Sequence, residues 1–162
     1  MKKIFLFLLI LLILGLIVGF YFIDRNYFLC PIEYQRDIII RCDSRGDGFF
    51  AAERSGRRLH EGIDLYAPVG TPVLASRSGI IVAARHTRGM GNYVIIRHRD
   101  NITSVYGHLS RIYVAKGQFI RQGQIVGAVG KTGNANYRDI LPHLHFEVKN
   151  KGVPQDPLQY LE

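Results

Sequence analysis

The sequence predicts a mainly β domain of antiparallel sandwich or barrel-like build, preceded by one N-terminal transmembrane helix. Three observations predict it. From Phe49 onward, short segments rich in β-branched and aromatic residues alternate with Gly, Pro, Asn and Asp, the pattern of strands joined by tight turns. That region has no long stretch with a 3.6-residue apolar period, so helices are not expected in it. Before it, residues Ile4 to Ile23 supply 20 apolar positions without a charge.

The apolar run follows Met1-Lys2-Lys3. At about 1.5 Å rise per residue, a helix of that length spans roughly 30 Å, the thickness of a bilayer core. The run ends in Phe20-Tyr21-Phe22-Ile23 with no small-x-small cleavage pattern, and aromatic residues suit a membrane interface. An uncleaved signal anchor is expected, with the N-terminus in the cytoplasm and the domain outside, facing periplasm or cell wall. A lipoprotein anchor at Cys30 is rejected, because Tyr27-Phe28-Leu29 before it lacks small residues. The expected organisation is an anchor over 1–23, a connector over 24–48 and one β domain over 49–162.

Cys30 and Cys42 are the only cysteines. Outside the cytoplasm such a pair either forms a bridge or stays as two thiols. The bridge would add roughly 3 kcal/mol on a chain-entropy estimate. The net charge of +8 favours anionic surfaces such as phospholipid head groups or wall polymers. A nucleic-acid partner is not expected, since no basic stripe with aromatic platforms is present. RSGRR (Arg54 to Arg58) and RHTRG (Arg85 to Gly89) read as solvated loops.

Within the β domain, TPVLAS, GIIVAA, NYVIIRH, ITSVYGHL, QIVGAVG and HLHFEV are the expected strands. Two stretches, Gly70 to Ala84 and Lys116 to Gly130, look alike, each setting a glycine turn before an apolar strand. The second is similar to the turn of biotinyl or lipoyl carriers. A carrier would place its modified lysine beside methionine, and Met90 has no adjacent lysine.

Six histidines need separate weighing. In PHLHFEV, alternation puts Leu144, Phe146 and Val148 on one face and His143, His145 and Glu147 on the other. Two imidazoles and a carboxylate together suggest a metal or catalytic site, with an ordinary wet face as the alternative. In LHEGIDLYAP, His60 and Asp64 stand four apart. A zincin helix is rejected there, because Asp64 replaces its second histidine and Gly62 costs about 1 kcal/mol in a helix interior. Read as a strand, His60, Gly62 and Asp64 share a face, and Gly62 leaves room for a close approach. His108 follows Gly107 at a strand end. His86 and His98 read as structural or surface residues.

RRLHEGIDLYAPVGTPVLASRSGIIV, GMGNYVIIRH, YGHLS, VAKGQFIRQGQIVGAVGKTGNA and PHLHFEV occur in that order. Together they resemble the LytM/lysostaphin-type zinc metallopeptidases over about residues 45–159. The resemblance implies the duplicated hybrid motif fold and one Zn2+ held by His60, Asp64 and His145. It also implies His108 and His143 as catalytic partners of a zinc-activated water, without dividing the roles between them. The implied activity is a membrane-anchored D,D-endopeptidase cutting peptide cross-links of peptidoglycan. The alternative is a non-hydrolytic peptidoglycan-binding or amidase-activating domain, whose relatives have lost ligands that this chain retains.

Glu147 either orients a ligand imidazole or makes a surface salt bridge. Asn92 and Tyr106 are placed near the groove by their nearness to the motifs. The segment Asn134 to Pro142 is longer than many relatives carry, so it should rim the cleft and shape substrate choice or cover the site. Asp139 in it is a candidate for the open zinc position.

Overall fold

The computed structural model describes residues 2–22, 27–54 and 58–161, without the side chains of 17–22. One α-helix, α1, covers Lys2–Phe22. Among the described residues no helix is long and apolar enough to cross a membrane. The expected anchor over 4–23 extends beyond those described residues. The large apolar side chains of α1 between Ile4 and Leu16 are exposed.

Among the described residues fourteen short strands follow. They are β1 (Cys42–Asp43), β2 (Gly46–Asp47), β3 (Glu53–Arg54), β4 (Arg58–Leu59), β5 (Ile63–Tyr66), β6 (Pro72–Leu74) and β7 (Gly79–Thr87). The rest are β8 (Gly91–Arg97), β9 (Ile102–Leu109), β10 (Arg111–Ile112), β11 (Phe119–Ile120), β12 (Ile125–Ala128), β13 (His143–Asn150) and β14 (Val153–Gln155). Every strand segment expected from the sequence is present, and every named strand pairs antiparallel.

The main sheet runs β11-β7-β8-β9-β13-β14, with β5 also paired to β13. A smaller sheet runs β10-β12-β6. The two similar stretches of sequence meet each other: β11 pairs β7 and β12 pairs β6. Each stretch gives one strand to each sheet, so the likeness in sequence becomes a crosswise pairing in space.

The core collects Ile63, Leu65, Val73, Ile81, Val94, Ile96, Tyr106, Leu109, Leu144, Phe146 and Val148 from these strands. Phe28 and Ile32 join it, with Tyr34, Ile38 and Ile40 packed alongside. Part of the expected connector therefore packs against the β domain. Arg54 and Arg58 sit opposite each other in the β3–β4 ladder, and Arg85 lies within β7. Both basic segments expected as loops thus contribute strand residues. Cys30 and Cys42 are free thiols, and Cys42 Sγ donates to Asp47 Oδ1 at 2.9 Å. The two are unpaired because Cys42 is spent in an exposed hairpin, while Cys30 packs on the core.

Buried polar groups are paired into the frame. The Tyr106 hydroxyl accepts from the Ser76 amide at 2.9 Å and meets Ser104 Oγ at 2.9 Å. His98 Nε2 lies 2.8 Å from the same Ser104 oxygen. His98 and Tyr106 therefore belong to the interior, and Tyr106 does not line the groove. Asn92 donates to the Leu109 carbonyl at 3.0 Å and meets His86 Nδ1 at 2.9 Å.

Gly62 lies where the chain enters β5 beside β13. A Cβ there would collide with the Phe146 carbonyl oxygen and crowd Glu147 Cγ. What approaches Gly62 is the neighbouring backbone rather than a ligand. Gly62→Ala is expected to lower stability by about 1–3 kcal/mol through overpacking. Urea denaturation checks this, and a midpoint equal to that of the unsubstituted chain would contradict it.

Candidate metal centre and cleft

Strand β13 lies between β5 and β9, and its register aligns the site. His145 stands opposite Asp64 on one side and Gly107 on the other. Leu144, Phe146 and Val148 are 0% exposed, as alternation requires. The opposite face is not wet: His143, His145 and Glu147 are 3%, 8% and 7% exposed. It is covered by the segments that carry His60, His108 and the arginines.

Asp64 lies on β5, whereas His60 precedes a bend and is outside any named strand. Hydrogen bonds from His60 N to Ala52 O and from Ala51 N to His60 O, each 2.9 Å, hold His60 in place. His108 reaches the same region through an irregularity. Between Asn92 and Val94 the β8–β9 register shifts by an extra residue on β9, the mark of a bulge that re-aims a side chain. His108 takes φ +60 there, a costly conformation for a residue with a Cβ.

Each of the four histidines gives one ring nitrogen to a protein acceptor. His60 Nδ1 donates to the Phe49 carbonyl at 2.8 Å, His108 Nδ1 to Thr132 O at 2.9 Å and His143 Nδ1 to Leu141 O at 2.7 Å. Carbonyls only accept, so each of these rings carries its proton on Nδ1 and leaves Nε2 available. His145 is turned the other way: Nε2 bonds Glu147 Oε1 at 2.9 Å and Nδ1 faces the site. Glu147 also meets Lys149 Nζ at 3.0 Å, so it both orients an imidazole and makes an ion pair.

Three donor atoms converge. His60 Nε2 and His145 Nδ1 are 3.0 Å apart, and Asp64 Oδ1 is 2.9 Å from His145 Nδ1 and 3.2 Å from His60 Nε2. A tetrahedral zinc with bonds of about 2.0–2.1 Å has ligand atoms about 3.3 Å apart. The nitrogen–nitrogen–oxygen triangle fits that group in both size and chemistry. Among the described residues these three form the cluster able to hold a metal. His143 Nε2 lies 3.9 Å from Asp64 Oδ1, and the His108 and His143 rings are 5.0 Å apart.

The electrostatics suit a cation. Burial opposes charge on Asp64, but hydrogen bonds from His145 and His60 hold its carboxyl well below the usual range. Its other oxygen is fixed by Arg41 Nη2 at 2.9 Å and Arg54 Nη2 at 3.0 Å. For His145, burial pulls down, yet hydrogen bonds to Asp64 and Glu147 push it up to about 9. Burial lowers His143. It also lowers His108 to about 3, with the neighbouring imidazoles adding to the effect. His108 and His143 are thus neutral bases near pH 7.

The site opens into a cleft of about 710 Å³ lined by arginines and acids as well as the histidines. Tyr137 and Ile140 rim it. Asp139 pairs with Arg45 Nε at 2.5 Å and not with the donor triangle, so the loop is clasped to the β1–β2 hairpin. Arg41 and Arg54 were not singled out by the sequence. Arg54 falls within a basic segment read as a solvated loop, and Arg41 carries no signal of its own.

The family described as Peptidase family M23 matches residues 58–157. The chain belongs to peptidase family M23. A lipoprotein NlpD/LppB homolog of Pseudomonas aeruginosa is 42% identical over 115 residues, covering 70% of this chain and 36% of that protein. The DD-carboxypeptidase/endopeptidase Mpg of Neisseria meningitidis is 45% identical over 101 residues, covering 62% and 22%. The chain therefore spans well under half of either relative. A zinc-containing peptidase from Vibrio cholerae superposes with TM-score 0.65 at 29% identity, over 82% of this chain and 40% of that one. The M23 membership accords with the LytM/lysostaphin-type resemblance of the motifs.

Outer partners of metal-binding histidines typically govern affinity by 10–100-fold. Glu147→Ala is expected to weaken zinc binding by roughly that factor, read by competition with a chromogenic chelator. Unchanged affinity would remove Glu147 from the metal centre.

Proposed function

We propose that this M23 chain is a zinc-dependent endopeptidase acting on the peptide cross-links of peptidoglycan. The carrying observation is the donor triangle of His60, Asp64 and His145 beside two neutral imidazoles in one open cleft. His60 Nε2, Asp64 Oδ1 and His145 Nδ1 would hold the zinc, leaving a position open as catalytic sites require. Bound there, zinc would supply Lewis-acid activation of water and of the amide carbonyl.

The chain's own groups account for the rest. His108 and His143 each have Nδ1 committed to a carbonyl, so Nε2 of each is the atom that can take a proton. One such base accepts the proton of the attacking water and returns it to the departing amine. The imidazole that has taken the proton is a cation until it gives it up, and in that interval it can stabilise the negative charge developing on the carbonyl oxygen. The Gly107–His108 bulge and the Thr132 carbonyl keep His108 from turning away.

A D-alanyl to diamino-acid cross-link is the proposed bond. It draws support from the 45% identity to a protein named DD-carboxypeptidase/endopeptidase. Residues 4–23 are proposed to anchor the chain in the cytoplasmic membrane, with the cleft facing periplasm or wall. The exposed apolar side chains of α1 support this, since large unpaired apolar surface marks an interface or a membrane contact.

The full chain with zinc is expected to release monomers from cross-linked muropeptides, and His145→Ala to release none. His108→Ala should retain stoichiometric zinc yet lose about 10²–10⁴ in kcat. Equal release by all three proteins, or by none, rules out the endopeptidase. In cells, the full chain should stay with membranes after alkaline wash, and a chain lacking residues 2–23 should not. Recovery of both in the wash would rule out the anchor.

A further inference from the structure

In the β3–β4 ladder Arg54 and Arg58 are direct register partners, while Glu53 faces Leu59. Like charges placed directly opposite one another destabilise a strand pair. Folding therefore tolerates a juxtaposed pair of arginines with no acid across from either. Of the acids that line the cleft, Glu53 faces Leu59 in the ladder, away from the arginine pair, and the other three are already engaged. Asp64 is held by Arg41 and Arg54, Glu147 by His145 and Lys149, and Glu61 by Lys149 at 2.6 Å.

Arg54 uses one amino group on Asp64 Oδ2 and the other on the Asp47 carbonyl at 2.8 Å, leaving further N–H donors. Arg58 is exposed, lines the cleft and has no hydrogen-bond or ion-pair partner among the described residues. It stands two positions before His60 in the chain and lines the same cleft as the donor triangle. A planar guanidinium recognises a carboxylate by two parallel N–H···O bonds. A lysine would offer only a point charge.

We propose that Arg58, backed by Arg54, forms a subsite for a free carboxylate on the bound peptide and thereby selects acidic stem peptides. The proposal rests on the endopeptidase reading above for the identity of that peptide. Its location beside His60 commits the subsite to a peptide carboxylate near the scissile bond rather than to a distant polymer.

Binding of an uncross-linked stem peptide tests it without turnover. Two probes are titrated calorimetrically into the full-length protein, one with the diamino-acid carboxylate free and one with it amidated. The free acid is expected to bind about tenfold tighter. Arg58→Gln should abolish the preference, and Arg58→Lys should restore part of it. Circular dichroism melts confirm that these exposed substitutions leave the fold intact.

Equal binding of the two probes, binding of neither, or a preference that survives in Arg58→Gln overturns the subsite. So does displacement of the peptide by inorganic phosphate at lower concentration than the free acid requires. Failure of the endopeptidase reading has a different signature: the carboxylate preference persists while the cross-linked dimer stays uncut.

Discussion

Each of four imidazoles has only two nitrogens, and the protein spends one of each on its own backbone or on Glu147. The other four then have nowhere to go but the cleft. Three backbone carbonyls, at Phe49, Thr132 and Leu141, do most of this work. Because a carbonyl can only accept, it sets the tautomer and the ring direction at once. The strands β5, β9 and β13 supply the scaffold, since their register brings Asp64, Gly107 and His145 into one row.

Burying Asp64 with several basic groups is costly on its own. Desolvation of charged side chains commonly exceeds their mutual attraction, and removing one partner leaves an uncompensated charge. Here the two oxygens of one carboxylate are divided between two sets of partners. Arg41 and Arg54 take Oδ2, while the histidines face Oδ1. The arginines therefore do more than neutralise: they turn the carboxylate so that one oxygen is presented to the donor triangle.

The fold was legible because its signals are local. Alternation in Leu144, Phe146 and Val148 identified the buried face of β13, and glycine-bounded apolar runs identified the other strands. The five expected site residues came from motif spacing and family resemblance, and the structure brings His60, Asp64 and His145 into one triangle with His108 and His143 beside it. What alternation missed is that the second face of β13 is also buried, since the covering segments lie far away in sequence. The arginine ladder was hidden for a similar reason: RSGRR is a solvated loop until Glu53 and Arg54 pair with Arg58 and Leu59. The bulge at His108 depends on a register shift between two strands, which no single-strand pattern encodes. Asp139 found Arg45 instead of the donor triangle because a hairpin 94 residues earlier in the chain lies beside it.

The pairing of β13 with β5 also makes the site an all-or-none object. Side chains alternate with period two, so a slip of one residue would set Leu144 or Phe146 against Asp64 and turn both histidines into the apolar core. A sheet slipped by one residue cannot keep the triangle. A chain shifted by one residue therefore presents no donor triangle to the cleft. The glycine at position 62, by allowing β13 to lie so close, thus fixes the geometry of the donor triangle as much as it supports the fold.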